Sequence, residues 1–178
     1  MNVVFLSSKK CNLKCSYCYA EQGNYPGINE QKDMFEFEDY VKTYQKIKSK
    51  FGVYSICFFG GEPFLNFKTI KRFVEYLYNN FKVSEISNIG VSSNGTIMNE
   101  EIYDFVVKYK ILFGTSLDGP RKLNDICRKG DFLSSVHDKV IDTFKYFETA
   151  KIKPVVQFTF NKHHVENCKK VISWLKYF

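Results

Sequence analysis

The sequence predicts an α/β fold in which parallel strands alternate with outer helices. Three observations carry this. Short β-rich runs alternate with longer runs of helical period. Several short runs, such as Ile56-Cys57-Phe58-Phe59 and Val155-Val156-Gln157-Phe158, are nearly continuous in apolar character, as expected when helices or barrel contents cover both faces. The first four runs each lead into a polar or glycine-bearing motif, which suits loops that open on one face of a parallel array.

The first strand is expected over Asn2 to Leu6, and a cysteine-bearing turn follows it. The polar segment from Ala20 to Lys32, with Gly23, Pro26 and Gly27, reads as a surface loop. Phe37, Tyr40, Val41, Tyr44 and Ile47 then fall on one helical face. The second strand, Ser55 to Phe59, precedes a helix with the stripe Ile70, Phe73, Val74, Leu77 and Phe81. Ser87 to Ser92 is the third strand, and Ile102, Phe105, Val106 and Tyr109 mark a shorter helix after it. The fourth strand, Ile111 to Leu117, leads to the stripe Leu133, Val136, Val140, Phe144 and Phe147. The fifth, Val155 to Phe160, leads to Val165, Cys168, Val171, Ile172, Leu175 and Phe178. No linker or low-complexity tract interrupts this rhythm, so residues 1–178 read as one domain.

An eight-unit βα barrel takes about 250 residues, roughly 30 per unit. The 178 residues here hold five such units, and the last helical stripe ends without a polar cap. The expectation is a partial TIM-like barrel, cut at its C-terminal end.

Composition narrows the class of molecule. A charged share of 25% and an aromatic share of 17% exclude disordered and collagen-like chains. No apolar stretch approaches the roughly 18 residues of a membrane span. A chain of this length buries a sizeable core unaided, so its six cysteines are not needed as staples. The first ten residues lack a secretory leader, and a reducing cytoplasm is the expected compartment. The net charge of +7 is spread along helical segments and reads as a solvated surface. It suits an acidic electron donor or an acidic peptide, and no groove-reading motif accompanies it to suggest nucleic acid.

The strongest chemical signal is Cys11-Asn12-Leu13-Lys14-Cys15-Ser16-Tyr17-Cys18, spaced C-x3-C-x2-C just past the first strand. A structural zinc site wants a fourth Cys or His, and none follows at zinc-ribbon spacing. An iron-sulfur cluster normally takes four cysteines, so three leave one iron with an open position where a small molecule can bind. Gly60-Gly61-Glu62-Pro63 stands directly after the second strand, its glycines permitting close backbone approach and its carboxylate suited to an ammonium group. Ser93-Asn94-Gly95-Thr96 and Ser116-Leu117-Asp118-Gly119-Pro120 hold equivalent places after the third and fourth strands. Turn chemistry alone does not explain four such motifs at one address.

These residues resemble the radical S-adenosylmethionine (radical SAM) enzymes over roughly the first 160 positions. C-x3-C-x2-C with an aromatic, Tyr17, before the last cysteine, followed by Gly-Gly-Glu-Pro, carries the likeness. Ser116-Leu117-Asp118-Gly119-Pro120 with Asn124, Asp125 and Arg128 looks more narrowly like the SPASM-type peptide maturases and anaerobic sulfatase maturases. Two departures stand out: Asn124 replaces the family's His before Asp125, and there is no cysteine-rich SPASM extension. The resemblance implies a (β/α)6 barrel core of which about five units are present.

It also implies that Cys11, Cys15 and Cys18 ligate a 4Fe-4S cluster whose fourth iron chelates S-adenosylmethionine. Glu62 with the Gly60-Gly61 backbone would hold the methionine ammonium, and Ser116 and Arg128 its carboxylate. Tyr17 would contact the adenine through its backbone, and Asn94 lies where the family's third-strand motif approaches the cofactor. The implied reaction is reductive cleavage to a 5'-deoxyadenosyl radical that abstracts hydrogen from a peptide or protein substrate, as in thioether or other cross-link formation. A flavodoxin- or ferredoxin-type donor would supply the electron. No substrate-side acid or base is assigned. The alternatives are formylglycine formation, as in anaerobic sulfatase maturases, or a non-catalytic Fe-S or partner-binding fragment.

The remaining cysteines read differently. Cys57 in an apolar strand and Cys168 on the last helical stripe behave as small core hydrophobes. Cys127 precedes Arg128 in a loop, with no role assigned. His163 and His164 read as an exposed helix start, since adjacent histidines do not share a helix face.

Overall fold

The computed structural model describes residues 1–21, 33–82, 85–86, 88–150 and 152–176. Five strands form a single parallel sheet in sequential order: β1 (Asn2–Ser8), β2 (Ser55–Gly60), β3 (Asn88–Ser93), β4 (Leu112–Ser116) and β5 (Val155–Gln157). Between them run α1 (Phe37–Phe51), α2 (Phe67–Asn80), α3 (Glu100–Lys108), α4 (Arg121–Cys127) and α5 (Val136–Ala150), and α6 (Lys162–Glu166) and α7 (Cys168–Leu175) follow β5. This is the α/β architecture the sequence predicts.

The period-2 alternation of the strands sorts their side chains between two faces. Val3, Phe5, Ile56, Phe58, Ile89, Val91 and Phe113 turn toward the helices and are buried with Tyr40, Ile70, Phe73, Ile102 and Phe105. Aromatic rings dominate this core: Tyr40 lies 5.0 Å from both Phe5 and Phe73, edge-on to the first and stacked on the second. Burying such a side chain contributes roughly 1.5–3 kcal/mol, so this face anchors the fold.

The opposite face differs from expectation. Val4, Leu112 and Val155 are each at least 60% exposed there, and a hollow of about 270 Å³ runs over Cys57, Gly90, Ser92, Gly114 and Gln157. Among the described residues, the near-continuous apolar runs therefore have chain packed on one face only. Cys57 is half-buried in the wall of that hollow rather than in the core.

Several boundaries move for identifiable reasons. β5 stops at Gln157 because the next segment turns to the β4 loop, where the Thr159 backbone N–H donates to Asp118 Oδ1 at 2.9 Å. The helix α4, which opens after Pro120, is not foreseen by apolar period; Cys127 is its buried last residue, not a loop thiol. The expected fifth helix breaks at Asn167, whose side-chain Nδ2 donates to His163 O at 3.0 Å, a local bond that competes with the helical ladder. Of the expected stripe, Val171 is buried, whereas Cys168, Val165, Ile172 and Leu175 are exposed. Cys168 is thus not a core residue. Of the segment from Ala20 to Lys32, Ala20 is buried and Glu21 is described. Gly23, Pro26, Gly27 and Lys32, together with Ser87 and Phe178, lie outside the described residues.

Candidate functional site

The loops after the five strands converge on a cavity of about 400 Å³. Parallel strands in sequential order dictate this, because every C-terminal strand end lies on one edge of the sheet. Of the ten residues singled out from sequence, Cys11, Cys15, Cys18, Tyr17, Gly60, Gly61, Asn94, Ser116 and Arg128 line this cavity. Glu62 does not.

The cysteine loop is held from three sides. Leu13 is buried with Leu117, Val136 and Val140. The backbone N–H of Lys14 donates to Lys129 O at 2.6 Å, and that of Ser16 to Cys127 O at 2.9 Å. From the other side, Gly61 N–H donates to Ser8 O at 2.8 Å and Glu62 N–H to Lys10 O at 2.9 Å. A Cβ on Gly61 would stand 2.5 Å from the Lys9 and Lys10 carbonyl oxygens, so only glycine lets the two backbones approach.

Glu62 is fully buried and faces inward. Its Oε1 accepts from Phe64 N–H at 3.0 Å and Ser93 Oγ at 2.9 Å, and its Oε2 from Asn94 N–H at 2.7 Å. Burial pushes its carboxyl up to about 7 against the pull of these donors. These three donors occupy both of its carboxylate oxygens. Its side chain has no surface on the cavity, and the Gly60-Gly61 backbone is what faces it. Glu62 ties the β2 loop to the β3 loop.

Arg128 follows α4 and reaches the cavity from beneath the cysteine loop. Its Nε donates to Asp118 Oδ2 at 2.8 Å, and its guanidinium lies 5.4 Å from the Tyr17 ring centroid. Burial works against the guanidinium charge, and Asp118 more than offsets it, so the pKa rises. The Tyr17 hydroxyl donates to the same Asp118 oxygen, and burial holds that phenol protonated.

Asp118 is the residue that sequence reasoning missed. Its motif stood out, but partners from the cysteine loop, α4 and the segment after β5 meet only in three dimensions. Behind it, His164 is fully buried, not at an exposed helix start: its Nε2 bonds Asp118 O at 2.7 Å, and its Nδ1 accepts from Asn161 N–H at 3.2 Å. Those two partners assign the proton to Nε2.

Two of the three thiols are held protonated by their surroundings. Burial raises Cys11 and pushes Cys15 up to about 11, with Arg128 opposing the rise at Cys15. A bound cation inverts that balance and takes the sulfurs as thiolates. Among the described residues, no three His, Cys, Asp or Glu side chains converge on one point as a single ion requires. A cluster of several irons needs no such convergence, and three free thiols around one cavity with no fourth fit it.

Comparison with known proteins shows the family. The model of the radical SAM superfamily matches residues 5–172. Over 178 aligned residues the chain is 25% identical to the cysteine-type anaerobic sulfatase-maturating enzyme of Clostridium perfringens, covering 96% of this chain and 46% of that enzyme. It is 30% identical over 167 residues to the sporulation killing factor maturation protein SkfB of Bacillus subtilis, covering 92% of this chain and 36% of that protein. The solved structure of native anSMEcpe with bound AdoMet superposes with a TM-score of 0.83 at 23% identity, over 99% of this chain and 48% of that one. The same protein with AdoMet and the Cp18Cys peptide gives a TM-score of 0.80. At these identities the superpositions speak for the fold. The chain spans less than half the length of each of these relatives.

Proposed function

Because the chain belongs to the radical SAM superfamily, we propose that it forms the catalytic core of an enzyme holding a 4Fe-4S cluster on Cys11, Cys15 and Cys18, with S-adenosylmethionine beside it. The observation that carries this is the shared cavity: the three thiols, the Gly60-Gly61 backbone, Ser116 and Arg128 all border the same 400 Å³. When bound, the cluster supplies the electron that cleaves S-adenosylmethionine reductively, yielding a 5'-deoxyadenosyl radical for hydrogen abstraction.

The chain's own residues do the holding. The Gly60-Gly61 backbone together with Glu62 would hold the methionine ammonium. The planar fork of Arg128 meets the methionine carboxylate with Ser116 beside it, while its Nε stays on Asp118. The Tyr17 backbone borders the adenine. Leu13, Phe59 and Ala20 supply apolar wall that helps exclude water from the cavity.

The proposed substrate is a peptide or protein, and the reaction class is peptide maturation, such as a thioether or other cross-link. Relatives named for sulfatase and killing-factor maturation support this reading. The 25% identity to a sulfatase-maturating enzyme favours formylglycine formation as the second reading. The electron comes from a flavodoxin- or ferredoxin-type donor. All six cysteines are free thiols, which suits a reducing cytoplasm, and no described helix is long and apolar enough to cross a membrane.

Anaerobic reconstitution with iron and sulfide, followed by reduction with S-adenosylmethionine present, tests the proposal. Release of 5'-deoxyadenosine and methionine is expected; a loaded cluster that leaves S-adenosylmethionine intact would overturn it.

A further inference from the structure

Asn94 lines the cavity, but its side chain is committed to the cysteine loop. Its Oδ1 accepts from the Thr96 backbone N–H at 3.0 Å and from Thr96 Oγ1 at 2.7 Å. A backbone N–H can only donate, so this partner decides which end of the amide is oxygen. The Nδ2 end then faces the loop, donating to Asn12 Oδ1 at 2.8 Å and to Cys11 Sγ at 3.7 Å. Asn12 closes the ring by donating its own Nδ2 to Thr96 Oγ1 at 2.8 Å. One arrangement of hydrogens satisfies all of these bonds together. Asn94 and Thr96 are both buried, so little of the amide meets solvent.

The result is a fixed N–H aimed at one of the three thiols, beside the Leu13 backbone N–H that also donates to Cys11 Sγ, at 3.4 Å. Adding an electron to an iron-sulfur cluster makes its cysteinyl sulfurs more negative. A donor held against such a sulfur therefore favours the reduced form and raises the reduction potential.

We propose that Asn94, acting through Cys11 as a positioning residue, raises the reduction potential of the cluster held by Cys11, Cys15 and Cys18. This rests on the radical SAM reading above. It gives the third-strand motif a function in the electron-accepting step as well as a place beside S-adenosylmethionine.

The test is the midpoint potential of the full chain, reconstituted anaerobically and titrated with a chemical reductant without S-adenosylmethionine, following the EPR signal of the reduced cluster. Asn94→Ala is expected to shift the midpoint to more negative values. Asn94→Asp is expected to shift it further, because a carboxylate replaces the donor. Thr96→Val, which releases the amide while keeping the shape, is expected to give a smaller shift of the same sign, and it carries the test should Asn94→Ala fail to take up iron. A wild-type midpoint in a loaded Asn94→Ala or Thr96→Val protein overturns the proposal. If the wild-type chain itself forms no 4Fe-4S cluster, it is the radical SAM reading that falls.

Discussion

Tyr17 and Asp118 lie 101 positions apart in sequence and share a hydrogen bond at the floor of the cavity. The oxygen that accepts the phenol also accepts Arg128 Nε at 2.8 Å, so one carboxylate joins the cysteine loop to the end of α4. Removing one member of such a buried pair leaves its partner charged and unsolvated, at a cost of about 3–5 kcal/mol. Asp118→Ala is expected to lose that much in urea unfolding of the cluster-free protein. A loss below about 1 kcal/mol, the range of exposed ion pairs, would show that the pair does not hold the site together.

Arg128 has two tasks, and lysine can perform only one. A single ammonium cannot keep the Asp118 contact and also present a planar fork to a carboxylate. Arg128→Lys is expected to weaken equilibrium binding of S-adenosylmethionine at least tenfold, about 1.4 kcal/mol, in a protein that still loads its cluster. Unchanged affinity would remove Arg128 from the carboxylate site.

Glu62 gives the stability a pH dependence of unusual sign for a carboxylate. Its carboxyl, raised by burial from 4.5 to about 7, binds its proton more tightly folded than unfolded. The favourable contribution is therefore complete below the unfolded value of 4.5 and is lost as pH rises to about 7. In Glu62→Gln that slope is expected to vanish, whatever the absolute stability. Urea unfolding of both cluster-free proteins across this range checks it, and parallel curves would contradict it.

At Gly61 the conflict is steric. An added Cβ meets two backbone carbonyls at 2.5 Å, neither of which can rotate away. Gly61→Ala is expected to cost about 1–3 kcal/mol, as overpacking does, and to lower iron uptake because the displaced backbone belongs to the cysteine loop. A thermal melt and iron analysis together check this; normal values in both would refute the clamp.

The cysteines divide by location. Cys15→Ala is expected to abolish the cluster, whereas Cys168→Ala, at an exposed position on α7, is expected to leave both cluster content and melting temperature unchanged. Loss of the cluster from both variants would contradict the assignment.

The legible part of this fold was its local part. Strand and helix order follow from apolar period, which depends on near neighbours, and motifs placed at strand ends put nine of the ten residues singled out around one cavity. What escaped was set by distant partners. Cys168 sits on an apolar stripe, yet on α7 only Val171 of that stripe is buried, and Cys168 is exposed. His164 reads as an exposed helix start until Asp118 O, 46 positions away, bonds its ring. Glu62 reads as a ligand-facing carboxylate, and nothing in its motif announces its bonds from Ser93 and Asn94 on the next strand's loop. Asp118 has its partners on three separate elements, and no spacing rule announces them.

The sequential order of the strands also bears on how such a chain can change over generations. Each strand delivers its chemistry through the segment that follows it, on one edge of the sheet. Turns at the other edge, such as Gly52-Val53-Tyr54 before β2 and Tyr109-Lys110-Ile111 before β4, bring nothing to the cavity. Drift, insertion and loss are expected to gather there, where the backbone can vary without moving a thiol. The rim is expected to be the slowly evolving margin of a faster-changing scaffold.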